Sequence, residues 1–355
     1  MKIKVQKQVI ESILINLQPF LEKKDASQIT SHILFESTAD KCIIRATDSE
    51  IGLQIESTNM TIEHEGSFTA NGKKLLDIIR ILKNSEITLE IMDDTLLIKQ
   101  SYSKFKLPTF DASLFPKFPN IDAKAKIELD SIELIRNLKK ISPAIDTNNP
   151  KFELNGALLN ISANQTDLVG TDTRRLAIAS IGGVTSEELS VILPKKAIME
   201  IQKLFLDEIT IHYDETTFVI TNRDTFFFTR LINGKFPDYK RIIPATLKHQ
   251  VTLPKKGMID AIKMITTISH DIKLTFLDDT IRFNSLSTDN VEAKTELEIN
   301  TGLSERIEIS LNSKYLLDFL SQVNDDSFEI GFNESSLPFV VKDNNFLTII
   351  MPIIL

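Results

Sequence analysis

The chain has 355 residues, 42% of them apolar and 25% charged, with a formal net charge of −8, a balance that excludes a largely disordered polypeptide and leaves room for two or three domains. Cys42 is the single cysteine, so an intrachain disulfide is excluded and a reducing, cytoplasmic setting is expected. The apolar run 348–355 is far shorter than the ~20 residues of a membrane span, the N-terminus lacks a signal-peptide core, and the acidic total confines any grip on nucleic acid to a surface where positive charge is gathered.

In chain order, segment 5–17 reads as a short strand running into a helix, with Ile10, Leu14 and Leu17 on one face. Phe68-Thr69-Ala70-Asn71 then leads into a second helix through Leu75, Ile78, Ile79 and Leu82. Segment 87–97 is a hairpin turning at Asp93-Asp94. About 124 residues further on the same order returns. Leu129, Leu134, Leu138 and Ile141 repeat the first module. Val191-Ile192-Leu193-Pro194 with Ile198, Ile201, Gln202 and Phe205 repeats the second, and 209–220 turns at Asp214-Glu215. A third copy follows: Leu253, Met258, Ile262 and Ile265; a hairpin over 273–283 turning at Asp278-Asp279; then Ile309-Ser310-Leu311-Asn312 with Leu316, Phe319, Leu320 and Val323. Lys73, Lys196 and Lys314 hold matching places after the three second-module caps. Thr47-Asp48 and Thr171-Asp172 match at the same shift, whereas Thr288-Asp289 is out of register.

The reading is an α+β chain of three tandem similar domains, 1–121, 122–249 and 250–355, each with two helices packed on antiparallel strands. The six helices together carry a charge of about +9 while the whole chain is −8, so strands and loops carry about −17. Lysine is a good helix former, which accounts for part of this bias. It does not account for so acidic a remainder. If the helices share a face, that face attracts phosphates and the other repels them.

Three strings add to the triplicate pattern: Thr171-Asp172-Thr173-Arg174-Arg175-Leu176-Ala177, then Asn233-Gly234-Lys235-Phe236-Pro237-Asp238-Tyr239-Lys240-Arg241, and the ending Met351-Pro352-Ile353-Ile354-Leu355. With them the whole chain resembles the bacterial β sliding clamp family, the processivity subunit of the replicative DNA polymerase. The resemblance implies the DNA clamp fold and a head-to-tail dimeric ring, a homodimer with helices lining the hole and sheets outside. Its partners would be double-stranded DNA, held without sequence preference, together with the replicative DNA polymerase, the clamp loader and repair proteins. No membrane and no cofactor is implied.

The proteins would dock by short apolar motifs in a pocket between the second and third repeats. Carried over by position, that pocket comprises Leu154, Thr171, Thr173, Arg174, Arg175, Leu176, Pro237, Arg241 and Ile242, with Asn312, Tyr315, Ser336, Pro338, Ile349, Ile350, Met351, Pro352 and Ile353. Leu, Ile, Met and Pro suit an apolar socket that adapts to several ligands. The DNA-facing candidates are Lys23, Lys24, Arg80, Lys83, Arg136, Lys139, Lys140, Lys195, Lys196, Lys203, Lys255 and Lys263, with Asn148 and Phe152 matching loop positions that touch DNA in the family. Phe105 and Leu107 fall at one edge of the expected dimer interface, Thr267 and Ile268 at the other. The chain departs from the family pattern at Thr173-Arg174, at Ile354, at Phe152, which replaces a tyrosine, and in a shorter loop after Ser269 that removes an aromatic pocket residue.

Catalytic motifs are missing from the sequence: no phosphate-cradling Gly-x-x-x-x-Gly-Lys-Ser/Thr, no His-Glu-x-x-His, no Gly-x-Ser-x-Gly and no cysteine pair for zinc. His32, His64, His212, His249 and His270 are scattered. The aspartate pairs suit turns better than metal sites, and Cys42 reads as core rather than nucleophile. The expectation is therefore a non-enzymatic clamp. The alternatives are an enzyme with dispersed catalytic residues, such as the aspartate pairs, or a three-repeat protein-binding scaffold without DNA.

Overall fold

The computed structural model describes residues 1–25, 27–182, 188–205, 208–286 and 291–354. The first repeat contributes β1 (Lys2–Gln6), α1 (Lys7–Leu17), β2 (His32–Ser37), β3 (Cys42–Thr47), β4 (Ile51–Ser57), β5 (Met60–His64), β6 (Gly66–Asn71), α2 (Gly72–Ile81), β7 (Glu86–Met92), β8 (Thr95–Gln100) and β9 (Ser103–Pro108). The second adds β10 (Ala125–Leu129), α3 (Ser131–Ile141), β11 (Gly156–Ile161), β12 (Gln165–Thr171), β13 (Arg175–Gly182), β14 (Leu189–Pro194), α4 (Lys195–Leu204), β15 (Ile209–Tyr213), β16 (Thr217–Thr221) and β17 (Thr225–Arg230). The third holds β18 (His249–Pro254), α5 (Lys255–Thr266), β19 (Asp271–Phe276), β20 (Thr280–Ser285), β21 (Lys294–Glu298), β22 (Ile307–Asn312), α6 (Ser313–Leu320), β23 (Ser327–Phe332), β24 (Phe339–Asp343) and β25 (Phe346–Ile350). Each repeat thus holds two α-helices among its described residues, in the order that the periodicity predicts.

The strands pair across the repeats, and this regroups the chain into two compact units, 1–131 with 203–231, and 132–202 with 232–355. In the first unit β17 pairs antiparallel with β4, joining the second repeat's hairpins to the first repeat's in one sheet ordered β10-β15-β16-β17-β4-β3-β2-β6; a second sheet runs β5-β1-β7-β8-β9. Gly52 lies opposite Phe228 at this joint, and a Cβ on it would sit 2.2 Å from the Phe228 ring, so the close pairing requires glycine. The core holds Phe20, Phe205 and Phe227 packed edge to face, with Leu14, Leu75 and Ile79 from α1 and α2. Each such side chain contributes roughly 1.5–3 kcal/mol through burial.

The second unit repeats the device. β25 pairs with β13, giving a sheet ordered β14-β11-β12-β13-β25-β24-β23-β18, beside a four-stranded sheet ordered β21-β20-β19-β22. Phe319 of α6 packs on Phe328 and Phe346, while Met258, Ile262 and Ile265 bury the inner face of α5. Asn71 and Asn312 cap α2 and α6, accepting the backbone N–H of Lys74 and of Lys314 at 3.1 Å each.

The Thr-Asp repeats prove to be turn chemistry. Thr47 Oγ1 donates to the Ile51 carbonyl at 2.8 Å, and Asp48 Oδ1 accepts the N–H groups of Glu50 and Ile51. Thr171 and Asp172 hold the Arg175 carbonyl and the N–H groups of Arg174 and Arg175 in the same way. The third residue of each turn, Ser49 or Thr173, has a positive φ of 76° or 72°. Thr288-Asp289 lies outside the described residues. Asp93 is likewise a turn residue, with φ 54° between β7 and β8. Cys42 is fully buried in β3, and burial pushes its thiol up to about 12. Among the described residues, no helix is long and apolar enough to cross a membrane.

Candidate functional site

The richest candidate surface lies in the second unit, on the β13–β25 ladder. Leu176 pairs with Ile349 and Ile178 with Leu347. Successive strand residues point to opposite faces, so these four share one face. Leu176 and Ile349 are buried there with Leu154, Leu158, Phe236, Tyr239 and Val340. Beyond β25 the chain keeps its course, because the Met351 N–H donates to the Arg174 carbonyl at 2.9 Å and the Ile353 N–H to the Ser310 carbonyl at 2.7 Å.

The segment 233–242 forms the facing wall. Gly234 turns it at φ +146°, a conformation that glycine alone adopts readily. Phe236 and Tyr239 then anchor it in the core, and Pro237, Arg241 and Ile242 are left exposed. Tyr239 donates its hydroxyl to Asp167 Oδ2 at 2.7 Å. Burial, followed by the Asp167 carboxylate, pushes the phenol well above its usual range, so it remains the donor. Arg241 pairs with Asp238 at 2.8 Å. Leu154, Leu176 and Ile349 are thus buried in one apolar cluster, while Ile242, 45% exposed, and Met351, 41% exposed, end the two segments that contribute Tyr239 and Ile349 to it.

The other residues expected in this pocket separate into two groups. Thr173, Arg174 and Ser336 are exposed, and Thr171, Pro338 and Ile353 half-buried. Arg175, Tyr315, Asn312 and Ile350 also make contacts within the fold. The Arg175 side chain is 5% exposed; it donates to Asp172 at 2.9 Å, to Asp318 at 2.7 Å and to the Pro143 carbonyl, with its guanidinium 4.6 Å from the centre of the Tyr315 ring. Asn312 caps α6 and donates to Asp271. Ile350, opposite Arg175 in the ladder, is buried on the face away from Ile349, and Pro352 is buried. Phe236, Tyr239 and Val340 were not among the expected floor residues. The Phe-Pro-Asp-Tyr string carried the signal for the first two, because its two aromatic residues are the buried members of an otherwise exposed segment.

The helix cations divide in the same way. Lys23, Lys24, Arg80, Lys83, Arg136, Lys139, Lys196, Lys203 and Lys263 are exposed, as are Asn148 and Phe152, the latter 65% exposed. Lys140 is buried and Lys195 and Lys255 are half-buried, and their ammonium groups bond within the fold. Lys140 donates to Asn345 Oδ1 at 2.6 Å, Lys195 to the Ile145 carbonyl at 2.6 Å and Lys255 to the Val323 carbonyl at 2.6 Å. Burial lowers the Lys140 and Lys195 pKa values. Lys7 bonds the Arg80 carbonyl in the same style. In each repeat the first lysine of one helix therefore bonds a carbonyl in or just past the last turn of the other: Arg80 within α2, Ile145 four residues beyond α3 and Val323 three beyond α6.

Two sheet edges complete the picture. β9 is an edge strand of the first unit, with Lys104 and Lys106 exposed, Phe105 half-buried and Leu107 buried. β21 is an edge strand of the second unit, with Glu296 and Glu298 exposed; Thr267 and Ile268, just after α5, are exposed too.

Three family descriptions match the chain in tandem: the N-terminal, central and C-terminal domains of the DNA polymerase III beta subunit, over residues 1–119, 128–238 and 240–354. The beta sliding clamp of Helicobacter pylori strain J99 is 41% identical over 352 residues, covering 97% of this chain and 94% of the relative. The Chlamydia muridarum beta sliding clamp is 26% identical over 99% of this chain. A crystal structure of the H. pylori beta clamp bound to a DNA ligase peptide superposes over 100% of both chains with a TM-score of 0.94 and 41% identity. The Pseudomonas aeruginosa DNA polymerase III beta subunit, at 23% identity and a TM-score of 0.93, shares the fold. From its three tandem clamp domains to its Met-Pro ending, this chain belongs to the DNA polymerase III beta subunit family, the β sliding clamps.

Proposed function

We propose that two copies of this chain join head to tail around duplex DNA and hold replication and repair proteins on it through short apolar segments docked on the β13–β25 floor. The domains of this reading are 1–121, 122–249 and 250–355. The ring stays on DNA by topology. Diffuse positive charge from the exposed helix lysines and arginines lets it slide along phosphates without reading sequence. Its contribution to synthesis is tethering rather than catalysis: a partner held on the ring meets its template at high effective concentration. The β9 and β21 edges suit the junction, because each presents unpaired backbone and their exposed lysines and glutamates are complementary.

The observation that supports the docking half is the insertion of β25 beside β13, which pairs Leu176 with Ile349 in the strand that leads into the exposed Met351. The H. pylori clamp carries a DNA ligase peptide in its crystal structure, and that peptide is the natural probe. Deleting residues 351–355 should abolish its binding in a fluorescence titration while the mass in solution stays that of a dimer. Unchanged peptide affinity would refute the socket, and monomers after the deletion would place the tail in the junction instead.

A further inference from the structure

The socket does not end at Leu176 and Ile349. One step along the same two strands, about 7 Å away, Ile178 and Leu347 continue the floor into a groove of about 560 Å³, walled by Ile243 and Pro244 and flanked by Lys240 and Lys342. That volume is within the range of ligand sites. The groove adjoins the socket along the strands, since Ile178 and Leu347 are the next residues on the face of Leu176 and Ile349, and Ile243 follows Ile242 in the chain.

The polar groups of the groove are nearly all committed. Asp167 is buried, and its carboxylate accepts from Tyr239 Oη at 2.7 Å, Ser180 Oγ at 2.7 Å and Gln165 Nε2 at 2.5 Å, so its acceptors are engaged while its charge stays in the groove lining. Asn345 donates to the Ser180 carbonyl and to Asn137, and Asn344 donates to Asp325 and Asp343. Lys240 and Lys342 are exposed, and neither forms an ion pair among the described residues. Glu329 lies directly across the ladder from Lys342 and lines an adjoining groove that Lys342 and Asn344 also line. The groove therefore presents an apolar strip between two exposed lysines, which outnumber the one carboxylate of its lining, Asp167, on a chain whose net charge is −8.

We infer that this groove takes an acidic flank of the docked partner segment, with one apolar side chain on Ile178 and Leu347 and carboxylates at Lys240 and Lys342. The inference rests on the socket reading above and adds a charge preference to it. Each exposed ion pair is worth a fraction of a kcal/mol, so two together should tighten a segment about fivefold, and less at high salt.

The test uses the DNA ligase peptide seen on the H. pylori clamp, unextended or extended at either end by Asp-Leu-Glu, Ser-Gly-Ser or Lys-Leu-Lys, titrated by fluorescence anisotropy. The full chain and its Lys240→Glu/Lys342→Glu double variant are compared, with thermal melting to verify that the variant folds. At one end the acidic extension should bind about fivefold tighter than the neutral one and the basic extension weaker. In the double variant that order should vanish or reverse, with the unextended peptide unaffected. Equal affinities for acidic and neutral extensions at both ends, or an acidic advantage that survives in the double variant, would overturn the groove while leaving the socket standing. Failure of the unextended peptide to bind would remove the socket and the groove together.

Discussion

Arg175 shows how much a single side chain can hold in place. Its guanidinium satisfies Asp172, Asp318 and the Pro143 carbonyl at once, fixing the turn that carries Thr173 and Arg174 against α6. Removing the arginine takes one partner from half-buried Asp172 and Asp318, the latter still paired with Lys314 at 2.6 Å, and leaves the Pro143 carbonyl unsatisfied, at a cost of about 1–3 kcal/mol. Arg175→Ala is therefore expected to lower the melting temperature by several degrees and to weaken ligase-peptide binding; a wild-type melt and affinity would refute the strut. The string around Arg175 marks it in the sequence as a site residue. Its role is not legible there, because Pro143 and Asp318 lie 32 and 143 residues away and no local pattern links them. His32 gives a pH prediction. It is buried, bonded to Thr69 and stacked on Phe110, and burial, then the Lys74 charge, lowers its pKa to about 4. The unfolded chain binds a proton near 6.5 that the folded chain refuses. The stability that neutral His32 confers is thus present above pH 6.5 and is lost as pH falls from there towards 4, on the order of 2–3 kcal/mol. Thermal melts of the wild type and His32→Gln across that window should converge as pH falls; parallel curves would contradict the assignment.

The helices and hairpins were the most legible elements, because each announces itself through a local period: Ile10, Leu14 and Leu17, or Leu316, Phe319 and Leu320, all buried. The sheets were not. The joint between 51–55 and 225–229, and that between 175–179 and 346–350, are long-range pairings that alternation alone cannot specify. They explain why three repeats in sequence compact as two units, with 203–231 joining the first. They also explain the mixed fate of the expected pocket residues: along β25, Ile349 faces the socket floor and its neighbour Ile350 does not. The edge strands yield a charge test. Lys104→Glu with Lys106→Glu should convert the dimer to monomers at moderate salt, and Glu296→Lys with Glu298→Lys in a second chain should restore heterodimers. A Lys104/Lys106 variant that stays dimeric by light scattering would move the junction elsewhere.

For the molecule as a whole, the decisive feature is the separation of charge between helices and the rest of the chain. Triplication made it readable from composition alone, whereas the inward bonds of Lys140, Lys195 and Lys255 show that part of the surplus serves the fold. The remaining exposed cations come from α2, α3, α4 and α5 and from loops, and contacts to phosphates carry no sequence information. A groove binder and a ring differ in how they let go of DNA. Electrostatic binding falls steeply with salt on any DNA, whereas a closed ring leaves only at an end. The most direct measurement is retention of the labelled protein on nicked circular DNA, after loading by a clamp loader, followed through a high-salt wash and then through linearisation of the circle. Retention through the wash and release on cutting is the predicted result. Equal loss from circles and linear DNA in the wash would contradict encirclement.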